Sequence, residues 1–194
     1  MISSTPPRIP PLPAEEWPDE VAAILDADLG DRSPLGAAKL RDLNLFTTAA
    51  RLPRPFKPWL LLGRALVING TLPFIDRELV ILRVALLTGS GYEWGQHVRI
   101  AVDGGVPRAA IERVVAGPDD PGWQERERLL MKAVDELRAE GRIGGPTWLG
   151  LAGHLDEKQL IELPMLVGYY TMVAYLLNSV EVVPEPGSEP LPAA

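Results

Sequence analysis

The chain has 194 residues, of which 46% are hydrophobic and 23% are charged, and its formal net charge is −7. This composition predicts one globular domain with a sizeable core, and it excludes a disordered or fibrous chain. The absence of cysteine excludes disulfides, thiolate metal sites and cysteine nucleophiles, and the acidic balance argues against a nucleic-acid partner.

Prolines cluster at both ends of the chain. Six of the 20 lie in residues 1–18 and four lie in residues 184–194. Because proline fixes φ and removes a backbone donor, we predict extended arms over 1–17 and 183–194, the second one mobile unless a partner subunit holds it. The helical domain is predicted over 18–182. The sequence begins without a basic segment followed by an apolar run, so a cytoplasmic protein is the default expectation.

The apolar residues between the two arms follow the period of a helix almost everywhere. Between Pro73 and Gly89 they form two stripes on one segment, which predicts a helix buried among other helices. We predict further helices over 18–28, 35–50, 55–69, 107–115 and 123–140. No segment alternates with a period of two, so the predicted fold class is all-α.

Another helix is predicted to begin at Ser90 and to end at the glycine pair Gly104-Gly105. Ser90 and Glu93 have the spacing of a capping box, in which each side chain bonds the backbone of the other residue. This pattern predicts a structural role for the Glu93 carboxylate at the start of the helix.

The last predicted helix has an uncharged segment almost as long as a membrane span. Residues 163–180 carry no formal charge, and their length is at the lower edge of a spanning helix. They include Pro164, several tyrosines and Asn178, and no second apolar span accompanies them. We therefore predict a helix buried in a bundle or a subunit interface, with Asp156 as its N-cap, rather than a membrane span.

Three ionisable residues on two successive predicted helices form the candidate catalytic group. Glu78 lies among apolar residues on the first helix, while Glu93 and His97 are four apart and share a face of the second. Each also has a structural explanation, namely the helix dipole for Glu78, the cap for Glu93 and a core position for His97. A buried carboxylate beside a histidine favours the imidazolium form, so such a pair can donate and accept protons near neutral pH.

Two sequence patterns surround these residues: Arg77-Glu78-Leu79-x-Ile81-Leu82 and Tyr92-Glu93-Trp94-x-Gln96-His97-x-x-x-Ala101. Together they resemble the carboxymuconolactone decarboxylase family, which shares its fold with alkyl hydroperoxidase D. In the hydroperoxidase pattern a glutamate is followed at +12 and +15 by cysteines and at +19 by a histidine. Counted from Glu78, these positions hold Ser90, Glu93 and His97 here. The resemblance implies a helical bundle that forms dimers, trimers or hexamers, without thiol peroxidase activity because both cysteines are replaced.

The resemblance also implies a lyase or isomerase of aromatic-compound catabolism that needs no cofactor. The family's named substrate is a butenolide with a carboxylate on its γ carbon, and after loss of carbon dioxide the electrons delocalise into the lactone. The enzyme must then return a proton. We predict His97 as the proton donor, oriented by Glu78 or Glu93. The predicted substrate-binding residues are Arg77, Arg83, Tyr92 and Trp94, the arginines for a carboxylate and the aromatic residues for the pocket wall.

Other interpretations of the same residues stay open at this point. The two arginines could form structural ion pairs, and the two aromatic residues could be ordinary packing. The Glu78, Glu93 and His97 group could bind a divalent metal in a hydrolase or lyase, or the fold could serve as a non-catalytic oligomeric binding protein. Our prediction is an enzyme with a small-molecule substrate and no metal or cofactor, which contacts neither nucleic acid nor membrane and assembles with copies of itself.

Overall fold

The structure, a computed structural model, describes residues 6–26 and 39–193. Within these residues the chain forms nine α-helices, two short 3-10 helices and no strand, which confirms the all-α prediction. The predictions for residues 1–5, for 27 and 28, for 35–38 and for 194 lie outside the described part. The helices are α1 (Asp19–Leu25), α2 (Asn44–Ala49), α3 (Pro53–Val67), α4 (Phe74–Leu87), α5 (Gly91–Asp103), α6 (Arg108–Ala116), α7 (Glu125–Glu140), α8 (Gly145–Ala152) and α9 (Glu157–Val180).

Helix α4 lies at the centre of the fold and packs against α5, α6, α7 and α9. Every residue from Asp76 to Ala85 is buried, so both of its apolar stripes contact other helices, as the sequence predicts. Pro73 is the residue before the first helical position, and Gly89 follows the helix with a positive φ of 65°. The charged residues of this segment therefore lie inside the core.

A second, smaller apolar cluster lies at the N-terminal side of the domain. It contains Val21 and Leu25 of α1, Leu40, and Phe56 of α3, and the side chains of Phe46 and Trp59 pack against both this cluster and the main core. These two side chains join the clusters, and α1, α3, α5 and α9 border the region between them.

The prediction of one helix over 35–50 is wrong for its described part. A 3-10 helix covers Leu40–Asp42, and α2 begins only at Asn44 because Leu43 is extended. The backbone N–H of Asn44 donates to Glu185 Oε1 at 2.7 Å, and the Asn44 side chain donates to the Val183 carbonyl at 2.9 Å. Contacts with the distant C-terminal arm therefore hold the start of α2, and a local pattern cannot contain them.

The C-terminal arm is held by its own chain, which corrects the expectation of a mobile arm that only a partner subunit would hold. Besides its bond to α2, Glu185 accepts a 2.8 Å hydrogen bond from the Tyr92 hydroxyl, and Arg108 forms a 2.6 Å ion pair with Glu189. The arm passes so close to α5 that a Cβ added at Gly95 would lie 2.9 Å from the Glu189 carbonyl.

Helix α9 begins as predicted, because the Asp156 side chain accepts a hydrogen bond from the Gln159 backbone at 2.9 Å. Within the described residues it is the helix whose length and composition would allow it to span a membrane, and half of its most apolar 18-residue window is buried inside the chain. Its buried side packs against α3, α4, α5, α7 and α8.

Candidate functional site

Glu78 and His97 meet where α4 packs against α5. Glu78 is fully buried, and its Oε2 lies 2.8 Å from His97 Nδ1. Its other oxygen accepts a 3.1 Å hydrogen bond from Arg77 Nε. Because both carboxylate oxygens face donors, Glu78 orients the imidazole through Nδ1 and leaves Nε2 as the ring nitrogen that it does not engage.

Tyr170 of α9 packs edge-on against this imidazole. The two rings are 5.0 Å apart between centroids and almost perpendicular, at 89°. Burial raises the pKa of the Tyr170 hydroxyl well above its usual value, and the negative charge of Glu78 raises it further. The hydroxyl therefore stays protonated and remains a hydrogen-bond donor.

Glu93 is not part of a capping box, which corrects the sequence prediction. Ser90 is the N-cap residue of α5, but its side chain makes no cap hydrogen bond, and among the described residues neither oxygen of Glu93 has a hydrogen-bond partner. The first turn of α5 is packed inside the domain, and Glu93, only 2% exposed, borders the cavity instead of turning back to Ser90. Burial raises the pKa of this carboxyl well above 4.5, so it favours the uncharged acid.

A cavity of about 580 Å³ lies between the two apolar clusters, a volume typical of small-molecule sites. Most of its wall is apolar and comes from α1, α3, α5 and α9. Its polar side chains from α5 and α9 are Tyr92, Glu93, Gln96, His97, Tyr169 and Tyr170. The cavity thus joins an apolar space to the imidazole of His97.

The predicted arginines do not border this cavity. Arg83 forms a bidentate ion pair with Asp135 at 2.7 and 2.8 Å and donates to the Val114 carbonyl at 2.7 Å. Arg77 pairs with Glu78 and lies over the Phe74 ring. Both arginines therefore form the structural ion pairs that the sequence left open, and Arg77 contacts Glu78 rather than the cavity.

Two basic residues that the sequence analysis missed border the cavity from α3. Lys57 and Arg64 are seven residues apart, two helical turns, and therefore share one exposed face. Their spacing was visible in the sequence, but only the packing of α3 against α1 and α9 places that face at the cavity.

The two predicted aromatic residues lie in different environments in the structure. Tyr92 borders the cavity, and its hydroxyl donates to Glu185 and accepts from the Leu45 backbone at 3.2 Å. Trp94 is buried in the main core and is not among the lining residues. Tyr92 therefore occupies the predicted wall position, whereas Trp94 has the packing role that the sequence left open.

The geometry does not support a metal centre at Glu78, Glu93 and His97. Both oxygens of Glu78 and Nδ1 of His97 already bond within the protein. Across 6–26 and 39–193, no group of three or more histidine, aspartate or glutamate side chains is placed to hold a metal ion. Only Glu93 and His97 Nε2 remain as donors, fewer than the three protein ligands that catalytic zinc sites usually have.

Comparison of the sequence with known families confirms the resemblance drawn from the two patterns. Residues 53–136 match the carboxymuconolactone decarboxylase family, and this match spans α3 to α6, most of α7 and all three of Glu78, Glu93 and His97. A comparison with curated protein sequences gives no significant match.

Solved structures share the fold over most of the chain. An alkylhydroperoxidase AhpD core from Ralstonia eutropha JMP134, an uncharacterized peroxidase-related protein, aligns with a TM-score of 0.75 and 17% identity over 94% of this chain and 95% of that one. The debrominase Bmp8 in complex with 2,3,4-tribromopyrrole aligns with a TM-score of 0.73 and 15% identity, over 96% of this chain and 95% of that one. An uncharacterized peroxidase-related protein from Silicibacter sp. TM1040 aligns with a TM-score of 0.66 and 15% identity, over 75% of this chain and 78% of that one. These similarities support the AhpD-like fold.

Proposed function

We propose that this chain, which matches the carboxymuconolactone decarboxylase family over residues 53–136 and contains no cysteine, is a cofactor-free lyase or isomerase. The proposed substrate is a small carboxylated or lactone-type compound, and the proposed chemistry is proton transfer. The observation that carries this proposal is the hydrogen bond between Glu78 and His97 at the wall of a cavity.

His97 is the proposed proton donor and acceptor. In a decarboxylation the bond between the substrate carbon and its carboxylate breaks, and carbon dioxide leaves. The electron pair delocalises into the unsaturated lactone, and His97 Nε2 then delivers its proton to carbon and is reprotonated from solvent. In an isomerisation the same nitrogen would take a proton from one carbon and return it to another. A positioned general acid or base of this kind typically contributes about 10²- to 10⁴-fold to the rate.

Glu78 and Arg77 are the proposed positioning residues. The Glu78 carboxylate orients His97 through Nδ1 and stabilises the positive charge of the imidazolium. Arg77 supplies the positive charge that compensates Glu78 when His97 is neutral. Neither residue borders the cavity, so both act on the substrate through His97.

Substrate binding is proposed to use the apolar wall for the ring and α3 for a carboxylate. Lys57 and Arg64 take over the carboxylate-binding role proposed for Arg77 and Arg83, because they border the cavity and form no ion pair with any described residue. The small ring compound bound to Bmp8 supports a ligand of similar size for this chain. The open space beside His97 favours an enzyme over a non-catalytic scaffold.

The test is turnover of a γ-carboxylated butenolide, followed by proton NMR in deuterated water. Carbon dioxide loss and deuterium incorporation at the protonated carbon are measured together. We expect His97→Gln to lose about a hundredfold or more of the rate while remaining folded. His154→Gln is the matched control, because His154 is the other histidine and is exposed away from the cavity. A folded His97→Gln variant with full turnover would overturn the proposal, and so would a wild-type protein that turns over no member of a panel of small lactone acids.

A further inference from the structure

Glu93 is the buried ionisable group that the proposed mechanism leaves without a role. Glu78, not Glu93, orients His97, and Glu93 makes no capping contact. Its carboxyl is buried at the cavity wall, and both oxygens lack a hydrogen-bond partner among residues 6–26 and 39–193. An unpartnered buried carboxyl destabilises a fold, so its presence at a cavity indicates that its partner enters with the ligand.

The groups around Glu93 are mainly hydrogen-bond donors. Tyr169 and Tyr170 of α9 are close enough for the charge of an ionised Glu93 to raise the pKa of each hydroxyl, and His97 lies one turn further along α5. Lys57 and Arg64 border the same cavity from α3, but neither is within ion-pair distance of Glu93. Glu78 of α4 bonds His97 through Nδ1 and is already paired with Arg77. An uncharged Glu93 therefore adds one more O–H donor to this end of the cavity.

A neutral acceptor suits this arrangement better than a charged group. A ligand carboxylate would place a third carboxyl group beside Glu93 and near Glu78, and no lysine or arginine within residues 6–26 and 39–193 forms an ion pair with Glu93. A ligand ammonium would either place an unpaired positive charge beside an uncharged acid or cause Glu93 to lose its proton to solvent, which puts two charges in a mostly apolar space. A carbonyl oxygen accepts the O–H without creating charge.

We propose that Glu93 binds a neutral carbonyl oxygen of the ligand through the O–H of its carboxyl group, so that this end of the cavity takes the ring carbonyl of a lactone or ketone. This inference deepens the proposed function and rests on it, since both concern one cavity. The carbonyl of the substrate lies at Glu93, its reacting carbon faces His97, and any carboxylate extends towards Lys57 and Arg64.

Three ring-matched probes test the inference without turnover: cyclohexanone, cyclohexanecarboxylate and cyclohexylammonium. Their dissociation constants are measured by NMR titration at neutral pH. We expect cyclohexanone to bind the wild-type protein, and we expect cyclohexanecarboxylate, whose charge Lys57 and Arg64 can bind, to keep its affinity in Glu93→Leu. Glu93→Leu should weaken cyclohexanone about tenfold, whereas Glu93→Gln, whose amide still donates, should bind within about threefold of wild type. Glu20→Leu is the control, because Glu20 is an exposed carboxylate at the same cavity.

Infrared spectra of cyclohexanone labelled at its carbonyl carbon give a second measurement. Hydrogen bonding to Glu93 should lower the carbonyl stretching frequency in wild type and in Glu93→Gln, and this shift should vanish in Glu93→Leu. The inference is overturned if cyclohexanone does not bind, if Glu93→Leu binds it as tightly as wild type, or if this variant weakens cyclohexanecarboxylate as much as cyclohexanone. It is also overturned if cyclohexylammonium binds more tightly than cyclohexanone. Since binding is measured without catalysis, such a failure leaves the role of His97 to its own turnover test.

Discussion

Glu78 and His97 are 19 residues apart in the sequence, and a 2.8 Å hydrogen bond between Glu78 Oε2 and His97 Nδ1 connects the central helix α4 to α5. Arg77 completes the group by bonding the other oxygen of Glu78. The carboxylate is fully buried, so its charge depends on these two neighbours. The candidate catalytic histidine is therefore held by the same ion pair that keeps a charge stable inside the core.

Replacing Arg77 tests this dependence. We expect Arg77→Met to lower the free energy of unfolding by about 3 kcal/mol, because it leaves a buried carboxylate without its cation. Equilibrium unfolding in urea measures the change. Arg128→Met is the matched control, since Arg128 and Glu125 form an exposed ion pair at 3.8 Å and its loss should cost less than about 1 kcal/mol.

The double variant Arg77→Met/Glu78→Gln separates this charge effect from lost packing over Phe74. Glu78→Gln removes the charge that Arg77 compensates, so the two changes together should cost clearly less than the sum of the single changes. Additive losses would mean that Arg77 stabilises the fold through packing alone.

The central helix α4 can be predicted from the sequence because the apolar pattern that defines it lies within one segment of the chain. The two apolar stripes of α4 already require burial on both sides. Helix α8 was missed, since eight residues that begin Gly145-Pro146 have little helical preference of their own. Its position depends on tertiary contacts: Thr147 donates to Glu136 of α7 at 2.7 Å, and Gly150 allows Leu129 to approach closely.

The two sequence patterns place the candidate site on α4 and α5, but they do not determine the direction of each side chain. The patterns predict that Glu78 or Glu93 orients His97, and in the structure Glu78 contacts its Nδ1. In the sequence, the spacing of Ser90 and Glu93 fits a capping box. In the structure, the first turn of α5 is buried and Glu93 lies at the cavity wall instead. The roles of Arg83, Lys57 and Arg64 depend on how helices pack, which a single sequence does not contain.

The raised pKa of Glu93 predicts a specific dependence of stability on pH. The folded protein keeps this proton at pH values where the unfolded chain, with a pKa near 4.5, has lost it. The unfolded state then binds fewer protons, so the contribution of Glu93 to stability falls as pH rises above about 4.5, by up to about 1.4 kcal/mol per pH unit. Tyr169, Tyr170 and His97 are the ionisable side chains nearest to Glu93 on α9 and α5.

Glu93→Gln isolates the contribution of this carboxyl, because the amide does not titrate and the other groups remain. We expect the variant to gain stability over wild type as pH increases from about 5 to about 8 in urea unfolding. The exposed carboxylate variant Glu20→Gln should track wild type throughout. A constant difference between Glu93→Gln and wild type across this range would show that Glu93 is already ionised in the folded protein.

Gly63 of α3 is predicted to be essential for the position of Tyr169. A Cβ at this position would lie 2.9 Å from Tyr169 Cζ and closer still to its hydroxyl oxygen. We expect Gly63→Ala to cost about 1–3 kcal/mol through overpacking, although alanine is favoured in helices, and to displace the tyrosine from the Trp59 carbonyl. Thermal unfolding and the NMR signals of the Tyr169 ring measure both effects.

Tyr169→Phe provides the control for this clash, because it removes the hydroxyl that a new methyl group would meet first. The cost of Gly63→Ala should be smaller in the Tyr169→Phe background than in wild type. An equal cost in both backgrounds would place the strain in the backbone of α3 rather than at Tyr169.

Helix α9 carries an exposed apolar stripe that predicts self-association. Ile161, Met165, Met172 and Tyr175 are each between 47% and 62% exposed, and their spacing places them on one helix face. Gly168 lies in the middle of the stripe, with open space where a Cβ would be. Ile161 and Tyr175 are each seven residues from Gly168, so an antiparallel second copy would pair these two residues in both directions, as a two-fold interface requires.

We therefore predict that the wild-type protein is at least a dimer in sedimentation equilibrium, and that Met165→Glu shifts it to monomer because a charge at the centre of the interface cannot be paired. Leu52→Glu is the control, since Leu52 is a similarly exposed apolar residue outside α9 and should leave the assembly unchanged. A monomeric wild type would contradict the prediction. A monomer that floats with lipid vesicles, and loses this behaviour in Met165→Glu, would assign the stripe to a lipid surface instead, because the same apolar face can be covered by either.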